Sequence, residues 1–157
     1  MATQNETCPL VFDNEEAILR EAKAIYGRRM KSRDALESPT AAIEYLRASL
    51  TDRDREIFSV LFLNTRHHVI AYEELFMGTI DGAVVHPREV VRSALLHNAS
   101  ALIIAHNHPS GVSSPSQADI GLTHRLRDAL ELVDIRLLDH VIIGADEYQS
   151  LSRLGHM

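Results

Sequence analysis

The stretch Ala101–Ala105 (ALIIA) is apolar at every position and runs without a break into His106-Asn107-His108-Pro109. A short continuous apolar run of this kind fits a strand covered on both faces, which calls for a sheet with helices packed against it. Where that strand ends, two histidines begin. In extended chain His106 and His108 project to the same side, with Cα atoms roughly 6.5–7 Å apart. Two imidazoles so placed can converge on one cation.

The remaining segments supply such a sheet. Ile18, Ala22, Ile25 and Tyr26 recur at helical spacing between Asn14 and about Arg29, and a polar linker from Lys31 to Glu37 follows. Ser38-Pro39 reads as a cap and first helical position before a helix that carries Ile43, Leu46 and Leu50 on one face. Ile57–Leu63 and Val69–Met77 read as antiparallel strands around a short loop, with Gly78 and Gly82 marking the next turn. Ala83-Val84-Val85 is expected as a short strand, and His86-Pro87 opens a helix through Val90, Val91, Ala94 and Leu95. Ser116 starts a long amphipathic helix, and a last strand spans about Leu137 to Ile143. The expected fold class is α/β, a mixed sheet flanked by helices. Residues 1–37 form an unassigned N-terminal helix and linker, and residues 38–157 form the domain.

Bulk properties narrow the function. No apolar run approaches the roughly 20 residues of a membrane span, and MATQNETCPL lacks the pattern of a secretory signal. The single cysteine, Cys8, cannot close an internal disulfide, so a cytoplasmic location is expected. The net charge of −6 does not advertise a DNA-binding face, and the one dense basic stretch (Arg28, Arg29, Lys31, Arg33) reads as a solvated helix end.

The segment His106–Asp119 carries the chemistry. Asp119 lies in the first turn of the helix that Ser116 starts, and the loop between can fold that turn back onto the histidines. Two His and one Asp leave a fourth position for water, as catalytic zinc sites do. Ser116-x-x-Asp119 equally resembles a capping box, in which the carboxylate satisfies a backbone N–H. A proton acceptor is also needed, and Glu73 and Glu74 on the second strand face opposite ways, so only one can point at the metal. His-Glu-x-x-His, a Cys-x-x-Cys arm and a Walker loop are all missing from the sequence.

His106-x-His108, seven residues, then Ser116-x-x-Asp119 matches every defined position of the JAMM (JAB/MPN) metalloprotease motif. GTIDGAVVHPREVVRSALLHNASALIIAHNHPSG, SQADIGLTHRLRDAL and LLDHVIIG further resemble the bacterial RadC-like family, over roughly Ser38 to Ser152. The resemblance implies a cytidine-deaminase-like α/β fold with one zinc ion at the end of a buried strand. It implies His106, His108 and Asp119 as ligands and Ser116 as hydroxyl donor. It also picks Glu73, five positions before the Gly of Gly78-Thr79, as the catalytic carboxylate, with Glu74 as its outward neighbour. Longer members of that family carry an N-terminal helix-hairpin-helix module, which is not expected within residues 1–37 of this sequence. The short form resembles proteins of prophages and mobile elements.

The function expected is zinc-dependent hydrolysis of an amide, isopeptide or peptide bond in a protein or peptide substrate. Two alternatives stand beside it: a DNA-repair or nucleic-acid-binding module with a structural metal, and a metal-dependent phosphodiesterase using a harder cation such as Mn²⁺. Exposed strand edges leave a homodimer open. His86 is placed near a strand end or the cleft, and His140 reads as a satisfied core histidine. His67, His68, His97 and His124 read as surface or packing residues.

Overall fold

The structure, a computed structural model, describes residues 15–31, 39–78 and 83–157. Cys8, most of the linker, the Ser38 cap and the turn up to Gly82 lie outside them. The described elements are α1 (Glu15–Lys31), α2 (Pro39–Leu50), β1 (Ile57–Leu63), β2 (Val69–Met77), α3 (Pro87–Leu96), β3 (Ala101–Asn107), α4 (Gln117–Glu131), β4 (Arg136–Ile143) and β5 (Tyr148–Ser150). None of these helices is long and apolar enough to cross a membrane.

The strands form one sheet in the order β2-β1-β3-β4-β5. β1 is antiparallel to both neighbours, β3 and β4 are parallel, and β5 closes the far edge antiparallel to β4. The continuous apolar strands take the inner positions: β1 is buried at all seven residues, and β3 at all but Ile103. Side-chain alternation sorts their residues between two cores. Phe58, Val60, Phe62, Leu102 and Ile104 pack with α3 and α4 through Val90, Ala94, Leu126 and Leu130. Ile57, Leu61, Ala105 and Val141 pack on the other face against Ala42, Ile43, Leu46 and Leu50 of α2. Each fully buried Leu of α2 contributes about 1.5–3 kcal/mol of apolar transfer.

Three local expectations change. Residues 83–85 form no strand, because the Ala83 N–H donates to a side chain, Glu56 Oε1 at 3.2 Å, rather than to a neighbouring strand. β3 extends through His106 and Asn107, so the first histidine is itself a strand residue. β5 is too short to show a period, and it exists because Gly144 turns the chain back, its N–H donating to Glu147 O at 2.8 Å.

Candidate metal centre

Alternation along β3 decides where the histidines go. His106 shares the face of Leu102 and Ile104, toward α4, and is 1% exposed. His108 leaves the strand with its N–H donating to Ile143 O at 2.9 Å, which prolongs the β3–β4 pairing by one step. The loop then turns at Gly111, whose φ of +81° suits a residue without Cβ. It delivers Ser116 as the N-cap of α4.

The capping box and the metal reading hold together. Ser116 Oγ accepts from the Asp119 N–H at 3.1 Å, while Asp119 Oδ2 accepts from the Ser116 N–H at 2.7 Å and from its hydroxyl at 2.6 Å. The other carboxylate oxygen, Oδ1, lies 3.3 Å from His106 Nε2, and Oδ2 lies 3.7 Å from His108 Nε2. The two Nε2 atoms face each other at 2.9 Å. His106, His108 and Asp119 thus offer three ligand atoms within 4.8 Å of one another, a group that could hold a metal ion.

The donors are of the right kind. His108 Nδ1 lies 2.6 Å from Val112 O, and a carbonyl only accepts, so Nδ1 carries the proton and the neutral ring offers Nε2 as a lone pair. Asp119 is an anion. Burial opposes its charge, but the His106 and His108 imidazoles and the Ser116 hydroxyl beside it outweigh that and hold its carboxyl well below the usual range. The same carboxylate raises His108 above its ordinary value. A lone pair and a carboxylate converging on one point attract a cation, whether a proton or a metal.

The centre opens into a cleft of about 850 Å³ that Phe58, His86, Leu122 and Arg125 also line. Glu56 lines it too. Phe58 pairs with His106 across β1 and β3, so residue 56, two positions earlier, falls on the same face at the open end of the sheet. Its charge reaches His108, whose affinity for a proton it raises.

Glu73 is not brought to this group. It pairs with Val60, which pairs with Ile104, one strand further out and two residues short of His106. Two inter-strand spacings alone separate it from β3 by roughly 9–10 Å. Its carboxylate is spoken for on α3, accepting from Ser93 Oγ at 2.6 Å and lying 2.7 Å from His97 Nε2. These contacts, Ser93 first, lower its pKa. Glu74 faces the other way, bound by Arg53 Nη2 at 2.8 Å. Sequence reasoning missed Glu56, and the available signal was an acidic residue immediately ahead of the apolar run Ile57–Leu63.

Four of the remaining histidines have hydrogen-bond partners. His140 is fully buried and lies against His106, its charged form disfavoured first by burial. His67 Nε2 meets Arg136, His97 meets Glu73, and His124 meets the backbone of His156. Of the basic stretch, Arg28 pairs with Glu21 at 3.0 Å.

Comparison with known proteins agrees with this architecture. The RadC-like JAB domain family matches residues 36–156. Proteins called UPF0758 protein are similar over most of the chain. That of Cellvibrio japonicus is 56% identical over 140 residues, 89% of this chain and 62% of its own length. That of Thioalkalivibrio sulfidiphilus is 58% identical over the same shares, and that of Azotobacter vinelandii 49% identical over 147 residues, 94% of this chain and 66% of its own. The chain therefore spans less than two thirds of the length of these curated relatives. It belongs to the RadC-like JAB domain family.

Proposed function

We propose that this RadC-like JAB domain is a zinc-dependent hydrolase of amide, isopeptide or peptide bonds, with Glu56 as its proton-transfer residue. The observation that supports this best is the convergence of His106 Nε2, His108 Nε2 and Asp119 at the floor of an open cleft. Two imidazoles and one carboxylate suit zinc and leave a position for water. Zinc held there would act as a Lewis acid toward a carbonyl oxygen and make water a nucleophile near neutral pH.

The protein's own residues do the rest. Glu56 accepts the proton of the attacking water and returns it to the leaving nitrogen, the general base and acid of the reaction. Asn107 fixes the backbone that carries Glu56. The Ser116 hydroxyl now donates to Asp119 Oδ2. Rotation about its Cβ–Oγ bond would turn that proton toward the carbonyl oxygen as negative charge develops. Leu122 and Phe58 give the cleft an apolar wall for the substrate's side chains.

The test is a screen of fluorogenic peptide and isopeptide-linked substrates with zinc-loaded protein, run beside Glu56→Gln. Turnover by the wild type alone is expected. Equal turnover by both proteins would remove Glu56 from the mechanism, and hydrolysis of phosphodiesters but of no amide would overturn the bond assignment.

A further inference from the structure

His140 stands outside the proposed ligand set, yet its ring is tied at both ends. Its Nε2 lies 2.8 Å from His106 Nδ1, and its Nδ1 lies 2.6 Å from Thr123 Oγ1 on α4. The threonine hydroxyl has one proton, and it donates that proton to the backbone carbonyl of Asp119 at 2.7 Å. Were the proton turned toward His140 instead, two oxygens would meet at that distance with no hydrogen between them. Thr123 must therefore accept from His140 Nδ1–H. A neutral His140 protonated on Nδ1 has only a lone pair on Nε2, so His106 must donate from Nδ1. That leaves His106 Nε2 without a proton, facing His108 and Asp119.

We propose that Thr123 and His140 are positioning residues that lock His106 in the one tautomer able to bind a metal ion through Nε2. The inference rests on the metal-centre reading above. The hydrogen bonds run one way, from His106 through His140 and Thr123 to the Asp119 carbonyl, and leave the bare Nε2 of His106 facing the Asp119 carboxylate at 3.3 Å. Thr123, His140 and His106 are each 0–1% exposed, so no bulk water competes for these bonds. Without the Thr123 hydroxyl, His140 is free to carry its proton on Nε2. It would then donate to His106 Nδ1 and force the other proton onto His106 Nε2, where the metal should sit.

The experiment measures zinc affinity of the full chain by competition with a chromophoric chelator, for wild type, Thr123→Val and Thr123→Ser. Partners that orient a metal-bound histidine contribute roughly 10- to 100-fold in affinity, so a loss of that order is expected for Thr123→Val, with recovery in Thr123→Ser. Long-range ¹H–¹⁵N NMR of zinc-loaded wild type should show both His106 and His140 protonated on Nδ1. Wild-type protein in which His140 carries its proton on Nε2 overturns the inference, whatever the variants do. So does equal affinity of wild type and Thr123→Val, and in either case the metal centre stands. Wild type that binds no zinc overturns the metal reading, and this inference with it.

Discussion

Asn107 clasps the backbone on both sides of Glu56: its Nδ2 donates to Arg55 O at 2.9 Å and its Oδ1 accepts from the Ile57 N–H at 2.8 Å. The residue between the two proposed histidine ligands thus reaches to the other face of the sheet and fixes the start of β1. Asn107→Ala leaves a buried N–H and a carbonyl without partners, and unfolding by urea should show a loss of about 1–3 kcal/mol. Zinc content should be retained, while turnover falls because the carboxylate is no longer held. Unchanged turnover would separate the clasp from catalysis.

Glu56 and Glu73 are expected to behave oppositely. Glu56→Gln should keep the metal and lose activity by on the order of 10²–10⁴-fold, the usual contribution of a general base. Glu73→Gln should keep both. The reverse pattern in a turnover assay would return the catalytic role to Glu73.

Glu73 should register in stability instead. Its carboxyl is held below the ordinary range, first by Ser93 and then by His97. A lowered carboxyl contributes stability that is present above its unfolded-state value and is lost as pH falls through the folded one. Wild type should therefore melt above Glu73→Gln at neutral pH, and the gap should close through the acid range. The side chain is 38% exposed, so solvent screening keeps the effect small, within about 1 kcal/mol. A gap that widens on acidification would refute the assignment.

What the sequence disclosed followed distance along the chain. His106, His108, Ser116 and Asp119 fall within a short stretch whose apolar run and helix start are both legible, so spacing allowed their meeting and the family motif singled it out. Glu56, Thr123 and His140 reach the same place through strand register and helix packing. Phe58 standing opposite His106, and Ile104 opposite His140, are tertiary facts that no local period encodes. The choice of Glu73 over Glu74 weighed only those two: alternation puts Glu73 on the face of His106, but pairing with Val60 stops it short of the cleft. The strand expected at 83–85 rested on Val84 and Val85 between the turn at Gly82 and Pro87, and among the described residues no strand pairs with it.

Gly144 holds the loop of the second histidine. A Cβ there would stand 2.5 Å from Gly111 O, 3.1 Å from Ser113 N and 3.2 Å from Glu147 O, all backbone atoms that cannot swing aside. Gly144→Ala should cost about 1–3 kcal/mol by overpacking and displace the loop whose Val112 carbonyl orients His108. Calorimetry and chelator competition should both register it, and full stability with unchanged zinc affinity would show that the contact yields.

The most direct test of the metal centre is metal content, measured by plasma mass spectrometry on tag-free protein beside Asp119→Ala. Wild type should hold about one zinc per chain and the variant should lose it, since two imidazoles alone make an incomplete site. Wild-type protein that holds no zinc after zinc is supplied, or a variant that retains it fully, would contradict the assignment of His106, His108 and Asp119 as a metal centre.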